Sequence, residues 1–285
     1  MQITGKTMLT GVMGYPVAHS LSPVFQNAAY EHLGLRYVYV PLEVKPESLA
    51  NAIKGIKACN FRGVNLTIPH KKEAVRYLDE ISEESGRLGV VNTIINDQGR
   101  LKGDITDGLG FIRSLKQDGG FNPKGKNVFI FGAGGASYAI SGALAREGIK
   151  GLFICNRTEE KAVLLKKHLS ENLGFRNVRS VPFEKRNNEE FWKKTELLVN
   201  TTSLGMKPDD KMLAEEENLA RLEFVYDIVY NRITELLKRA IKHKIPCLDG
   251  ISMLIYQGAV SFELWTGKKA PVEVMKESLS KKTKY

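Results

Sequence analysis

The chain has 285 residues, 42% of them hydrophobic, and a formal net charge of +10. That length gives one or two domains with a substantial core, and it excludes a disulfide-stapled mini-protein or a disordered tail. The charge is spread along the chain and densest at Lys276 to Lys284; no zinc-finger spacing or RNA-binding aromatic motif accompanies it, so it argues against nucleic acid and for solubility or small anions.

Strand-length apolar runs alternate with helical periodicities almost from end to end, the pattern of an α/β architecture with parallel sheet. Thr10 to Gly14 reads as a strand end, Pro23 to Leu33 as a helix, and Tyr37 to Leu42 as a strand closed by proline. Ser48 to Ala58 reads as a helix, Gly63 to Leu66 as a short buried strand, and Lys71 to Leu78 and Ser82 to Leu88 as helices. Val91 to Ile95 and Arg100 to Gly103 flank Asn96-Asp97-Gln98-Gly99, a hairpin signal. A helix from Asp107 to Gln117 leads to the loop Asp118 to Pro123, and a second unit begins. Its strands fall at Asn127 to Phe131, Leu152 to Cys155, near Val178, at Leu197 to Asn200 and at Phe224 to Asp227, with helices through Glu147 and over Glu159 to Leu169. A last helix runs from Met253 to Trp265.

No secretory signal is expected, because Met1 to Thr10 lacks a long apolar run and a small-residue cleavage site. No stretch approaches the roughly 20 apolar residues of a membrane span. Cys59, Cys155 and Cys247 are odd in number, far apart and outside any CxxC pair, so neither a disulfide framework nor a zinc site is expected, and Cys155 reads as core. These features describe a cytoplasmic protein with no metal and no membrane or nucleic-acid partner.

Val128 to Phe131 leads straight into Gly132-Ala133-Gly134-Gly135-Ala136 and then a helix. Strand, glycine turn and helix in that order let backbone N–H groups and a helix N-terminus meet a pyrophosphate; an ordinary glycine-rich turn is the plain alternative. The next strand ends in Cys155-Asn156-Arg157-Thr158. An acidic residue there would suit a ribose 2′-hydroxyl, whereas Arg157 suits a 2′-phosphate, so NADP is favoured over NAD; Thr158 either donates to that phosphate or caps the helix at Glu159. Gly120 to Lys126 imitates a P-loop but precedes a strand instead of following one, and Asn127 replaces the Ser/Thr.

More than a hundred residues stand before that turn, which points to a separate substrate domain. There, His19-Ser20-Leu21-Ser22-Pro23 opens a helix, and its hydroxyls either cap that helix or bind a carboxylate. Lys71 lies at the expected start of a helix, an unfavourable place for a cation and one that suits proton transfer, with a solvated surface lysine as the alternative. Asp107 reads as a helix N-cap, and Gln257 places an amide on a mostly apolar helix face, where it needs a partner.

Taken together, these residues resemble the shikimate dehydrogenase family over nearly the whole chain. The motifs occur in the family's order: Gly14-Tyr15-Pro16 with His19 to Pro23, Asn65 to Lys71, Val91-Asn92-Thr93, Gly103-Asp104 with Thr106-Asp107-Gly108, Gly132 to Ala136, Asn156-Arg157-Thr158, Asn200 to Gly205, Asp227 to Asn231 and Gln257 to Gly267. The resemblance implies NADPH-dependent reduction of 3-dehydroshikimate to shikimate in aromatic amino-acid biosynthesis. It implies a discontinuous substrate domain, residues 1–107 plus 244–285, around a Rossmann-type NADP domain, residues 108–243. Lys71 and Asp107 would be the catalytic pair, Ser20 and Ser22 would bind the substrate carboxylate, and Thr67, Asn92, Tyr230 and Gln257 would hold ring hydroxyls or complete the pocket. The partners would be the small substrate and NADP, the chain acting as monomer or homodimer. Three positions depart from the family: Gln26 stands for a histidine, Ile105 for an asparagine and Arg232 for a proline. The rivals are a quinate/shikimate dehydrogenase using NAD and a non-catalytic NADP-binding sensor, the latter having no need to keep Lys71, Asp107 and Gln257 together.

Overall fold

Residues 2–280 are described by the structure, a computed structural model; Met1 and Lys281, Lys282 and Lys284 of the basic cluster lie outside the described residues. The chain forms two compact units, one reaching Gly110 and resuming at Leu254, the other Phe111–Met253.

The first unit begins with β1 (Met8–Gly14), α1 (Ser22–His32), β2 (Tyr37–Glu43), α2 (Leu49–Ala58) and β3 (Gly63–Leu66). It continues through β4 (Glu80–Ile81), α3 (Glu83–Leu88), β5 (Thr93–Asp97), β6 (Arg100–Asp104) and the start of α4 (Asp107–Gln117). Its mixed sheet has the order β2-β1-β3-β5-β6-β4. The first three strands are parallel, and β5 and β6 are antiparallel across the expected hairpin, whose turn residues Gln98 and Gly99 have φ of 49° and 88°. Positive φ at both central residues matches the right-handed twist of the flanking strands. Proline does not close β2 as expected; the strand runs on through Pro41 to Glu43. It lies at the sheet edge, where a missing N–H breaks no ladder bond.

The helix expected over Lys71 to Leu78 is absent, and only a 3₁₀ turn over Glu73–Tyr77 forms. The Lys71 carbonyl accepts from Val91 N at 2.9 Å, so it is not available to carry an α-helical ladder forward.

The second unit follows the alternation closely: β7 (Asn127–Phe131), α5 (Gly135–Arg146), β8 (Gly151–Cys155), α6 (Glu159–Asn172), β9 (Val178–Val181) and α7 (Glu189–Trp192). Then come β10 (Leu197–Asn200), α8 (Glu216–Leu219), β11 (Phe224–Asp227), α9 (Glu235–Lys242) and β12 (Cys247–Leu248). The chain ends in α10 (Gly250–Thr266) and α11 (Val272–Ser280). All pairings in the second sheet are parallel, in the order β12-β11-β10-β7-β8-β9. Side chains alternate faces along a strand: Val128, Ile130, Leu152, Ile154, Leu197 and Val199 pack into one core, while Phe129, Phe131, Phe153, Cys155 and Leu198 pack into another. Continuous apolar strands are what a parallel sheet covered on both faces requires. Cys155 belongs to that core, and burial pushes its thiol up to about 12.

Return to the first unit was expected at residue 244, but β12 pairs with β11 and keeps the chain in the second unit to Met253. The chain thus passes between units inside α4 and inside α10. Among the described residues no helix is long and apolar enough to cross a membrane, and no His/Cys/Asp/Glu group could hold a metal.

Asp227 ties the second unit's loops together. Its buried carboxylate accepts from Asn200 Nδ2 at 2.9 Å, Val229 N at 3.1 Å and Thr234 Oγ1 at 2.7 Å. Burial pushes its carboxyl up to about 6, with those donors pulling the other way. A folded value above the unfolded one means that stability falls as pH rises through the interval between them, and that the loss is complete above the folded value. Asp227→Asn, which cannot ionise, should therefore melt further below the native protein at about pH 4 than at about pH 7. Melting curves of both proteins across that range check this; a constant difference would refute it.

Candidate active site

Asp107 opens α4 but is not used as a cap. One carboxylate oxygen, Oδ2, pairs with Lys71 Nζ, and the other, Oδ1, accepts from Asn92 Nδ2 at 2.9 Å. The Asp107 side chain is 7% exposed and that of Lys71 23%, so the lysine side chain is partly open to solvent while the carboxylate is nearly out of water. An ion so placed needs both a counter-charge and hydrogen bonds. Lys71 acquires its position from the loop between β3 and the 3₁₀ turn, not from a helix N-terminus: Thr67 N donates to Met13 O at 2.9 Å and Val91 N to Lys71 O at 2.9 Å. Its neighbour His70 is a structural residue, buried with Nε2 2.7 Å from Val44 O.

Asn92 is held from both ends of its amide. Oδ1 accepts from Thr106 N at 2.8 Å, and a backbone N–H can only donate, so Nδ2 is the atom that faces Asp107. The other Nδ2 proton goes to Thr106 Oγ1 at 3.0 Å. Asn92 is thus first a support for Asp107, although the resemblance gave it to the substrate. Gln257 joins the same group: its Oε1 lies 3.4 Å from Asn92 Nδ2 and 3.5 Å from Thr106 Oγ1, while Nε2 donates to Leu254 O at 2.8 Å. The two long bonds leave Oε1 loosely held. Gly110 makes the encounter possible, since a Cβ there would lie 2.5 Å from Gln257 N and 2.7 Å from its Cα.

Ser20 and Ser22 stand where α1 begins. Ser20 Oγ accepts from Ser22 N at 3.3 Å, and Leu21 is the N-cap without a side-chain bond, so the serines contribute little capping. Ser22 is buried, as is the Tyr39 phenol, which burial keeps well above the usual tyrosine range. Thr67 is half-buried on the Lys71 loop. The departures from the family pattern are settled inside the unit: Ile105 is core, and Gln26 donates to Gly258 O at 2.8 Å with its Oε1 left unpartnered. The residues that sequence reasoning passed over are Tyr39, Asn65, Thr93, Thr106 and Ser261, joined by buried hydrogen bonds around Asn92. Polar side chains at positions that read as buried strand were the available signal.

In the second unit, Gly132 follows β7 at φ 112°, and a Cβ would meet Thr201 Oγ1 at 2.3 Å. Ala133 is buried and Ala136 half-buried, while nothing lies within 4 Å of a Cβ built at Gly134 or Gly135. The Ser137 hydroxyl turns inward to Gly132 O at 2.8 Å, and the cap Gly134 has no side chain to occupy the first N–H groups of α5. Those donors stay open to an anion. At the end of β8, Asn156 Nδ2 donates to Thr158 O at 2.8 Å, and the Thr158 hydroxyl makes no capping bond to α6. Arg157 is exposed and has no ion-pair partner among the described residues. An open glycine turn and an unpaired guanidinium at the second strand end fit a dinucleotide with a 2′-phosphate. Tyr230 also belongs to this unit, half-buried after β11, and burial raises its phenol.

Comparisons with known proteins agree along the chain. Residues 12–94 match the model of the shikimate dehydrogenase substrate binding domain, residues 115–189 that of shikimate / quinate 5-dehydrogenase, and residues 250–279 that of the shikimate 5′-dehydrogenase C-terminal domain. A shikimate dehydrogenase (NADP(+)) of Halothermothrix orenii is 42% identical over 280 residues, covering 96% of each chain. Among solved structures, a shikimate dehydrogenase in complex with NADP+ superposes with a TM-score of 0.93 at 39% identity, covering 100% of this chain and 98% of its own. A quinate dehydrogenase from Corynebacterium glutamicum in complex with NAD has a TM-score of 0.89 at 29% identity, over 96% of this chain and 99% of its own. With a two-sheet α/β fold and near full-length identity of this order, the chain belongs to the shikimate dehydrogenase family.

Proposed function

We propose that the protein interconverts 3-dehydroshikimate and shikimate with NADP(H), using Lys71 and Asp107 as its catalytic pair. The observation that carries this reading is the buried Asp107 carboxylate paired with a lysine whose side chain remains partly exposed. NADPH, when bound, supplies the hydride that reduces the ketone carbon. The carbonyl oxygen then needs a proton, and the Lys71 ammonium donates it while stabilising the charge that develops there. Asp107 holds Lys71 in place and accepts from a neighbouring ring hydroxyl. In the oxidative direction the same lysine takes the proton back.

Ser20 and Ser22 receive the substrate carboxylate, and Thr67, Gln257 and Tyr230 contact the ring hydroxyls or complete the pocket. Asn92 keeps Asp107 turned toward Lys71. Gly132 to Ala136 cradle the pyrophosphate at the start of α5. Asn156, Arg157 and Thr158 take the adenosine end, Arg157 binding the 2′-phosphate as a planar fork. The unpaired state of Arg157 supports NADP over NAD.

Incubation with shikimate and either NADP or NAD, following absorbance of the reduced cofactor, tests the reading. NADP-dependent turnover is expected, falling by roughly 10²- to 10⁴-fold in Lys71→Ala when both proteins are assayed below the variant's melting temperature, which the loss of the counter-charge to Asp107 lowers. Turnover preferring quinate and NAD would instead favour the quinate enzymes, and NADP binding without turnover would leave a sensor. In a second prediction, Arg157→Ala raises KM for NADP by roughly ten- to a hundredfold, the loss of one or two charged hydrogen bonds, and leaves kcat nearly unchanged. An unchanged KM would remove Arg157 from the cofactor site.

A further inference from the structure

Buried polar side chains are costly unless each donor meets an acceptor, and the first unit contains an unbroken run of them. Tyr39 of β2 donates to Asn65 Oδ1 of β3 at 2.8 Å. Asn65 Nδ2 donates to Ser261 Oγ of α10 at 2.8 Å, and the Ser261 and Thr93 hydroxyls stand 2.9 Å apart. Thr93 Oγ1 donates to Asn92 Oδ1 at 3.0 Å, and Asn92 Nδ2 to Asp107 Oδ1 at 2.9 Å. Thr93 and Ser261 are fully buried, and none of these polar atoms lacks a partner.

The direction of donation follows from the two ends. Asp107 as a carboxylate only accepts, and Thr106 N fixes which end of the Asn92 amide faces it. With its proton on Asn92 Oδ1, Thr93 Oγ1 is left to accept, from Ser261 Oγ at 2.9 Å and directly from Asn65 Nδ2 at 3.1 Å. The alternative acceptor for Ser261, the Gln257 carbonyl in its own helix, is farther away at 3.1 Å. Ser261 in turn accepts from Asn65, whose carbonyl accepts from the Tyr39 phenol. The bonds from Asn65, direct and by way of Ser261, thus meet at Thr93 and run on through Asn92 to Asp107, and bonds aligned in this way polarise one another.

We propose that Thr93 is a positioning residue for the Lys71–Asp107 pair, the point where the hydrogen bonds from Asn65 and Ser261 converge before passing through Asn92 to Asp107 Oδ1. This rests on the reading of those two residues as the catalytic pair. The chain secures Oδ1 and leaves Oδ2 to Lys71, and Ser261 contributes to it. Ser261 does so from α10, the helix that also carries Gln257, so the amide and the carboxylate share one support.

Thr93→Val breaks the chain, Ser261→Ala removes one of the two donors to Thr93, and Thr93→Ser keeps the chain. With shikimate and NADP, kcat should fall about tenfold in Thr93→Val and by less in Ser261→Ala, with KM for NADP unchanged in both. Thr93→Ser should stay within about twofold of native, and the Ser261→Ala/Thr93→Val double variant should be no worse than the poorer single variant, as expected when both cut one chain. Independently of turnover, the side-chain amide ¹⁵N–¹H signals of Asn92, identified by their loss in Asn92→Asp, should shift in Ser261→Ala and Thr93→Val and hold in Thr93→Ser. Native-like kcat in Thr93→Val, unmoved amide signals in that variant, or an equal loss in Thr93→Ser would each overturn the proposal. A native protein without turnover would instead defeat the reading of the reaction, and the amide signals then decide the chain by themselves.

Discussion

A carboxylate held nearly out of water at the first turn of α4 sets the terms for the whole first unit. Asp107 pays for its desolvation with one ammonium and one amide, and an ion in this position without such partners would shift the balance of folding by several kcal/mol. Meeting the need draws in elements far apart in sequence. Lys71 comes from the loop after β3, Asn92 from the approach to β5, and Gln257 from α10, which Gly110 admits at backbone contact. The parallel β1–β3 pairing and the antiparallel β3–β5 pairing bring the first two together. The sheet thus serves the ion pair as much as the ion pair serves the chemistry.

The second unit solves a similar problem for a different end. Asp227 is buried at the tip of β11 and gathers Asn200, Val229 and Thr234, so the loops after β10 and β11 are fastened to one another. The side chains on both sheet faces are apolar, and the polar work is confined to strand ends. There the order β12-β11-β10-β7-β8-β9 changes direction between β10 and β7, the switch point where an open α/β sheet leaves room for a ligand beside a helix N-terminus. Gly132 lies at that point, pressed against Thr201.

Much of this was legible in the residues themselves. The second unit's strands are near-continuous apolar runs, so β7, β10 and β11 were bounded correctly from hydrophobicity alone, and the place of the glycine turn between β7 and α5 was just as plain. The Asn96 to Gly99 hairpin and the start of α4 at Asp107 were equally local. Local reasoning failed where distant atoms intervened. Lys71 to Leu78 has the composition of a helix, but Val91 N takes the Lys71 carbonyl. Tyr37 to Leu42 contains a proline that ends a central strand and not an edge one, and edge position is a property of the sheet. Thr158 and Asp107 sit at helix starts yet neither caps its helix by the side chain, one because its hydroxyl stays unengaged there and the other because its carboxylate has partners across the unit.

The sequence by itself determined the α/β class, the glycine turn, the basic residue after β8 and the set of polar residues from which a site would be made, because each depends on neighbours within a few positions. Only the tertiary structure decided which of those residues meet. The pairing of Lys71 with Asp107, the orientation of the Asn92 amide and the burial of Thr93 and Ser261 against Asn65 depend on strand register and on the close approach of α4 and α10. Hydrogen bonds between residues as distant as Asn65 and Ser261 leave no periodicity in a chain; they exist because a buried donor must find an acceptor wherever the fold puts one.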